Sequence, residues 1–321
     1  MALDVDVPPR LAERLNAASA ARRWYPFDDR VIDWSVPLDG SWSYMPAGHS
    51  IFSGTDLLDG LDPEQRSFVE RWEMTQLMRN IGHGEHLLNQ GLLAMLWYVD
   101  PYDPSYRYLL HEVAEECQHM AMFNQWVRFN SDIETLGAGE ESWAKTLGEF
   151  TEGLASKLPE AFWVNVLLFE FVGDDFNQAM RVGTGEGGRP LHPILAGIGV
   201  AHTAEEARHI AYARRWLEEG MAGVDAGQLA EIQGLADYGV QLVIDRRLLL
   251  PVRYGTQLEP YVSEAAFGEA MANVAERPAS KATLAQLAKL VDFFAGLGVV
   301  SESAARRWVE SGQLALRQTP G

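Results

Sequence analysis

Residues 202–209 read HTAEEARH and bring three potential metal ligands onto one face of a helix. His202, Glu206 and His209 follow one another at intervals of four and three residues. Side chains at these intervals return to nearly the same azimuth of an α-helix. Imidazole nitrogens and carboxylate oxygens arranged in this way can reach one metal ion together. The segment therefore predicts a helix that turns a metal site toward the interior of a helical protein.

An earlier segment, EECQH at residues 115–119, repeats the core of this pattern, because Glu116 and His119 also stand three residues apart. Each pair follows a glutamate on an upstream helical stripe that is otherwise apolar, namely Glu85 in the first half and Glu170 in the second. Each interval has about the length of one helix and a turn. The chain thus reads as two helix hairpins. Each provides a Glu and a Glu-x-x-His, the inward-facing ligand set of a carboxylate-bridged di-iron bundle.

The whole constellation carries this interpretation, because a single Glu-x-x-His is expected by chance in a chain of 321 residues with 8 histidines. Carboxylates buried together repel one another and lose hydration unless cations accompany them. Two metal ions remove that difficulty, so the members of the set support one another. The predicted ligands are Glu85, Glu116, His119, Glu170, Glu206 and His209, with His202 as a further one. For His202, a hydrogen bond to Glu206 is the open alternative.

Glu115 and Glu205 immediately precede the two ligand glutamates. A carboxylate in such a position often accepts the free N–H of a metal-bound histidine, and each could serve the histidine of the other pair. The alternative for both is a solvated helix face. Arg208 is a candidate ion-pair partner for one of them, and Asp174, one turn after Glu170, is a further outer candidate.

Composition excludes several classes of function. A net charge of −19 argues against nucleic acid or an anionic membrane surface as partner, and 47% hydrophobic residues supply an ample core. Cys117 is the only cysteine, which excludes an intrachain disulfide, and we predict it to be a small buried filler. The start of the chain lacks the apolar run of a signal peptide, and no stretch approaches the roughly 18 apolar residues of a membrane span. These features predict a cytoplasmic protein.

Apolar periodicity and capping residues predict an all-α chain. Asp62 is an expected N-cap followed by proline, and Ser301 is another. We expect two parts, an N-terminal extended wrapping segment at 1–60 and a single helical domain at 61–315. The predicted helices lie at about 9–22, 62–99, 104–129, 141–155, 159–182, 193–220, 225–250, 262–275, 279–296 and 300–314.

The order of these residues resembles the p-aminobenzoate N-oxygenase family of non-heme di-iron oxygenases, which includes arylamine N-oxygenases of antibiotic pathways. The additional histidine four residues before the last glutamate is the mark of that family, so the resemblance implies His202 as a seventh ligand. It covers roughly residues 60–250. It implies a ferritin-like four-helix di-iron bundle with additional flanking helices.

The resemblance also implies chemistry and partners. The expected activity is O₂-dependent monooxygenation of an aryl or related amine at two iron ions, giving a hydroxylamine, nitroso or nitro product in secondary metabolism. No flavin or nicotinamide fingerprint is visible, so we expect an external electron donor or reductase, together with a homodimeric assembly. The alternatives are a di-iron hydroxylase or desaturase acting on carbon, a ferritin-like iron-binding protein, and a metal-free structural bundle. Products without N–O bonds would indicate the first alternative, and iron uptake without substrate oxidation the second.

The substrate pocket is less well marked in the sequence. Aromatic residues near the metal helices are candidates for it, although such residues are more often core: Trp97, Tyr98, Trp163 and Phe169. A substrate that carries a carboxylate would need a cation, for which the candidates are Arg253, Arg277 and Lys281.

Overall fold

The computed structural model describes residues 9–21, 25–135, 142–245, 253–276 and 279–317. Over these ranges the chain forms ten α-helices, and the only β-structure consists of isolated bridges. The helices are α1 (Pro9–Ala21), α2 (Pro63–Leu96), α3 (Pro104–Phe129), α4 (Ser142–Lys157), α5 (Pro159–Val182), α6 (Pro193–Gly220), α7 (Ala226–Ile244), α8 (Glu264–Glu276), α9 (Lys281–Gly296) and α10 (Glu302–Glu310). The predicted all-α class is confirmed. The helix predicted to reach about residue 250 ends at Ile244, where Asp245 is its C-cap, so the predicted end is too late. Residues 246–252 lie outside the described ranges.

Local sequence explains where the long helices begin. α2, α3, α5 and α6 each start with a proline, whose fixed φ suits the first helical turn and whose missing N–H has no partner to lose there. Asp62 accepts hydrogen bonds from the backbone N–H groups of Glu64 and Gln65, and the Gln65 side chain bonds back to complete a capping box. Ser301 caps α10 through the backbone N–H of Ala304. The two predicted N-caps are therefore confirmed.

Two helix hairpins form the body of the molecule. α2 packs along α3, α5 packs along α6, and the two pairs meet as a four-helix bundle of the ferritin-like type. Three of the other helices lie against the outside of the bundle: α1 contacts α3 and α6, α4 contacts α2 and α5, and α7 contacts α5. The predicted arrangement of a four-helix bundle with flanking helices is confirmed.

The interior of the bundle contains two apolar clusters separated by a polar layer. On each of the four bundle helices, one residue of each cluster borders the polar layer. The bordering residues of the first cluster are Leu88, Leu109, Leu168 and Tyr212. Those of the second cluster are Met78, Met122, Met180 and Ala201. All seven predicted ligands fall between these flanking residues. The apolar clusters on both sides keep bulk water from the layer, and the resulting low dielectric strengthens its electrostatic interactions.

Residues 25–62 contain turns and bridges, and they cover the second apolar cluster, to which Tyr44 belongs. The Ser43 N–H donates to the Pro190 carbonyl at 2.9 Å, and the His192 N–H returns a 2.9 Å bond to the Ser43 carbonyl. These bonds tie the segment to the loop before α6. The division of the chain at residue 60 stays a prediction.

Glu73 on α2 holds the same segment and gives the fold a pH dependence that can be measured. Its fully buried carboxyl accepts hydrogen bonds from Ser50 Oγ at 2.6 Å and from the Ile51 N–H at 2.7 Å. Burial raises the pKa of Glu73 from 4.5 to about 8. An acid with a raised pKa in the folded state stabilises the fold fully below its unfolded pKa, and this contribution is lost as pH rises through the folded pKa.

We therefore expect the difference in unfolding free energy between the wild type and Glu73→Gln to fall by about 1.4 kcal/mol per pH unit between roughly pH 5 and 8. Urea unfolding of the metal-free chains at several pH values measures this difference. Glu218→Gln, on the exposed side of α6, is the control and should leave the difference independent of pH. Parallel stability curves for wild type and Glu73→Gln would contradict the prediction.

Two side chains expected inside lie on the surface instead. Trp97 follows the end of α2 and is 89% exposed, so it is neither a core residue nor part of a pocket at the polar layer. Cys117 is exposed on α3, with the Asn89 amide 3.8 Å from its sulfur, so the prediction of a buried filler is wrong. Among the described helices, none combines the length and the apolar character that a membrane crossing requires.

Candidate metal centre

The seven side chains predicted as ligands converge in the polar layer between the two hairpins, and all are buried. They form two overlapping groups, one of Glu85, His119, His202 and Glu206 and the other of Glu116, Glu170, Glu206 and His209. Within each group, one potential ligand atom from every residue lies within 4.8 Å of all the others. Glu206 belongs to both groups and therefore occupies a bridging position. Metal binding by these residues stays a prediction that their convergence supports.

The Glu-x-x-His spacing turns the Nδ1 atoms of two histidines toward the glutamates. His119 Nδ1 lies 2.8 Å from Glu116 Oε2 and 3.3 Å from Glu206 Oε1. His209 Nδ1 lies 2.8 Å from Glu116 Oε1 and 3.0 Å from Glu206 Oε2. The two hairpins thus meet through these four side chains.

His202 reaches the same space from one turn earlier on α6. Its Nε2 lies 2.7 Å from Glu206 Oε1 and 3.3 Å from Glu85 Oε1. At 2.7 Å, His202 Nε2 can donate to Glu206 when no metal is bound, so the hydrogen-bond alternative stays open. His202 as a metal ligand stays a prediction, which its place in a group of four converging ligand atoms supports.

Six buried polar atoms of the predicted ligands have no hydrogen-bond partner among the described residues. They are both carboxylate oxygens of Glu85, Glu116 Oε1, Glu170 Oε1, His202 Nε2 and Glu206 Oε1. Each such atom costs about 1–3 kcal/mol when it is left unsatisfied. Carboxylate oxygens and imidazole nitrogens are ligands of divalent transition metals, so a pair of ions would satisfy all of them. The residues present therefore fit a dinuclear metal centre.

The electrostatics of the layer separate its acids into two kinds. Burial, with the charge of Glu116 nearby, raises the pKa of Glu85 to about 8. Burial and the charge of Glu206 raise the pKa of Glu170 well above its usual value. Burial alone would also raise the pKa of Glu206. The charges of His202 and His209 outweigh this effect and hold the pKa of Glu206 well below its usual value. Without cations the layer thus keeps part of its carboxyls neutral, and bound metal would ionise them.

Each histidine of the two Glu-x-x-His pairs has an orienting carboxylate from the other hairpin. His119 Nε2 donates to Glu205 Oε2 at 3.0 Å, and His209 Nε2 donates to Glu115 Oε2 at 3.0 Å. Arg208 Nη2 lies between the two carboxylates, 2.8 Å from Glu115 Oε1 and 3.5 Å from Glu205 Oε1. The predicted exchange of partners between the pairs is confirmed. The alternative of a solvated face is wrong, because both glutamates are buried.

The orienting partner of His202 is Asn177 on α5, which sequence reasoning did not identify. The Asn177 Nδ2 atom lies 2.6 Å from His202 Nδ1. In this orientation the amide nitrogen donates to Nδ1, and a half-turn about the Cβ–Cγ bond would bring the amide oxygen there as an acceptor. Asn177 follows Glu170 by two helical turns on the same face, and this spacing is the sequence signal that could have identified it. The predicted outer candidate Asp174 instead accepts a hydrogen bond from Gln178 at 3.2 Å.

Glu112 is a second residue to which the sequence assigned no role. It lies one turn before Glu116 on α3, is completely buried, and has no hydrogen-bond partner among the described residues for either carboxyl oxygen. Burial raises its pKa to about 8. Glu112 belongs to neither group of converging ligand atoms, so it lies beside the centre rather than within it.

The aromatic candidates for the substrate pocket occupy different places. Phe169 is half-buried beside Glu170, and its ring covers Gly84, where a Cβ atom would lie 2.3 Å from the ring. Trp163 is completely buried in the first apolar cluster, and Tyr98 is half-buried after the end of α2. Phe169 is therefore the aromatic candidate adjacent to ligand residues on two helices.

The cationic candidates are not part of the described centre. Arg253 lines a separate small cavity with Trp72 and Gln257, and none of the seven predicted ligands lines it. Lys281 is exposed at the start of α9. Arg277 lies outside the described residues.

Comparison with known proteins places these residues in context. A family model described as P-aminobenzoate N-oxygenase AurF matches residues 7–298, which extends beyond the 60–250 range of the motif resemblance. Uncharacterized proteins of Mycobacterium bovis and Mycobacterium tuberculosis are each 31% identical to this chain over 213 residues. The alignment covers 64% of this chain and 59% of each relative, so the chain spans less than two thirds of these curated relatives. No solved structure matches the chain.

Proposed function

Because this chain belongs to the p-aminobenzoate N-oxygenase family, whose members are di-iron oxygenases, we propose that it oxidises an aryl or related amine at nitrogen with O₂. The product would be a hydroxylamine, nitroso or nitro compound. The observation that carries the proposal is the convergence of four glutamates with three histidines in two groups that share Glu206. The third histidine, His202, distinguishes this set from a bundle with only two Glu-x-x-His pairs.

Two iron ions are the proposed cofactor. Glu85, His119 and His202 would hold one ion and Glu116, Glu170 and His209 the other, with Glu206 shared between them. When bound, iron would activate O₂, which supplies the oxygen atom and the oxidising equivalents for the amine nitrogen. Formation of a hydroxylamine places one oxygen atom on nitrogen and releases the other as water, which consumes two electrons and two protons from outside the substrate.

The side chains around the centre perform three tasks in this proposal. Glu205 and Glu115 hold the Nε2–H atoms of the two pair histidines, which leaves the Nδ1 lone pairs free for metal. Asn177 would fix the ring of His202 through Nδ1 once its amide oxygen, rather than Nδ2, faces that nitrogen, which would leave Nε2 free for metal. The apolar clusters on both sides keep bulk water away from the oxidation. Phe169, over Gly84, offers an aromatic surface for an aryl amine next to Glu170.

The remaining parts of the proposal concern the setting of the enzyme. We propose an external electron donor or reductase, because the reaction consumes two electrons for each amine hydroxylated. The family resemblance is the support for a homodimeric assembly and for a role in secondary-metabolite or antibiotic biosynthesis. The cytoplasmic location is proposed from the sequence features that predicted it. The oxidation proposed for the metal centre does not depend on the assembly, the location or the pathway.

The test begins with iron per chain in protein expressed with ample iron, where about two ions are expected. The iron-loaded protein is then supplied with electrons, O₂ and a panel of aryl and alkyl amines, and products are identified by mass spectrometry. N–O products that depend on iron would support the proposal. Hydroxylated or desaturated carbon would support a C-oxidising enzyme instead, and iron uptake without oxidation a ferritin-like protein. A chain that binds no iron, or one tightly held zinc ion, would overturn the proposal.

A further inference from the structure

A stripe of buried polar residues follows α3 from its first turn to the candidate metal centre. Ser105, Tyr108, Glu112 and Glu116 succeed one another at intervals of three, four and four residues, so they share one face of the helix. All four are buried. At a rise of 1.5 Å per residue the stripe is about 16 Å long. Such a continuous polar line through a helical core needs a function or a compensating partner.

Several polar atoms along this stripe have no hydrogen-bond partner among the described residues. They include both carboxyl oxygens of Glu112 and the Tyr108 hydroxyl, with the indole N–H groups of Trp163 and Trp216. The rings follow one another closely: Tyr108 and Tyr212 have centroids 4.5 Å apart, and Tyr212 and Trp163 have centroids 5.5 Å apart. The unsatisfied groups of α3, α5 and α6 therefore gather in one region of the bundle.

Ordered water is the partner that such groups usually take. A buried water makes about three hydrogen bonds and occurs roughly once per 27 residues, whereas an unsatisfied buried group costs about 1–3 kcal/mol. A carboxyl, a hydroxyl and two indole N–H groups supply both acceptors and donors for such waters. The outer end of the stripe lies beneath α1, where Asn16 Nδ2 donates to the Pro104 carbonyl at 2.9 Å. The inner end meets Glu116 at the centre.

We propose that Tyr108, Glu112, Trp163 and Trp216 anchor a file of ordered water molecules that runs along α3 between its N-terminal turn and the candidate metal centre. The file delivers the protons that O₂ reduction consumes, while the substrate approaches from elsewhere. The existence of the file rests on the contacts of this chain alone. Its role in proton delivery rests on the proposed function.

A high-resolution crystal structure of the metal-free protein tests the file without any activity. We expect a row of waters in which one bonds the Glu112 carboxyl and another the Tyr108 hydroxyl. In Glu112→Leu the waters next to residue 112 should be lost. Tyr108→Phe keeps the ring packing and removes one hydroxyl, so it serves as a second variant that folds. A dry, closed interior along α3 in the wild type would overturn the proposal.

Kinetics of the iron-loaded protein test proton delivery. Glu112→Leu and Tyr108→Phe should each bind iron normally, should lower the oxidation rate by about tenfold to a hundredfold, and should increase the solvent isotope effect in D₂O. Glu73→Gln, which changes a buried carboxyl outside the stripe, is the matched control and should leave the rate and isotope effect unchanged. Unchanged kinetics in both stripe variants would overturn the proton role. A wild type that oxidises no amine would overturn the proposed function, and the crystal structure would still decide on the file.

Discussion

Replacing Glu206 by alanine is expected to abolish iron binding at both positions of the centre. Glu206 is the residue shared by the two groups of converging ligand atoms, and its oxygens lie within about hydrogen-bond distance of all three histidines. Removing it takes the common anion from both positions and leaves three histidines without their shared partner. Iron per chain should fall from about two to near zero, and amine oxidation should fall to the level of the iron-free protein.

Metal analysis of purified variants checks this expectation, with circular dichroism to show that the helices remain. Glu218→Ala is the matched control, because Glu218 lies on the same helix, is exposed, and pairs only with Arg215 among the described residues. Glu85→Ala is an intermediate case, because Glu85 belongs to only one of the two groups. This variant should lose the iron ion of that group before the other ion. A Glu206→Ala protein that retains the iron content of the wild type would contradict the bridging position.

Replacing Arg208 by methionine is expected to have the largest effect on stability. Arg208 is buried, and its guanidinium donates to Glu115, to Glu205, to the Ala204 carbonyl and to Ser19 of α1. Methionine keeps much of the volume but leaves two buried carboxylates without their cation. Breaking a buried ion pair in this way costs about 3–5 kcal/mol. Because those carboxylates orient two predicted ligands, iron affinity should also fall by about tenfold to a hundredfold.

Urea unfolding and iron competition with a chelator measure the two effects separately. Arg215→Met on the exposed side of α6 is the control, because its pairs with Glu218 and Glu219 lie at the surface and contribute little. Adding Glu115→Gln to Arg208→Met removes one of the unpaired charges and should restore part of the lost stability. If Arg208→Met were as stable as Arg215→Met and bound iron equally well, the bonds from Arg208 to Glu115 and Glu205 would support neither the fold nor the centre.

Local sequence signals explain why so much of the fold was predictable. The bounds predicted for α3, α5 and α6 agree with the structure, because proline opens each helix and apolar periodicity runs through it without interruption. The seven predicted ligands converge for a related reason. A glutamate or histidine on an apolar stripe has nowhere to point except into the bundle, so helical periodicity alone brings these residues to the same layer.

Other features depend on contacts between distant parts of the chain, which periodicity does not encode. Glu70 accepts a hydrogen bond from the Tyr44 N–H at 2.8 Å and pairs with Arg189, which lies 119 residues further along the chain. Asn177 and Glu112 were missed because a polar residue on a helix acquires its role from the neighbouring helix. Trp97 was misplaced because a large aromatic residue after a helix end gives no local sign of which side it faces.

The exchanged histidine partners have a consequence for how the chain matures. Glu115 belongs to α3 and serves His209, whereas Glu205 belongs to α6 and serves His119. Each histidine lies about 90 residues along the chain from its carboxylate partner. A ribosome that adds 5–20 residues per second takes about 5–20 s to translate this stretch. During that interval the newly made first hairpin holds three of the seven proposed ligands, and one of them, His119, lacks its orienting carboxylate. Iron retention therefore reports on a polypeptide completed at least through α6.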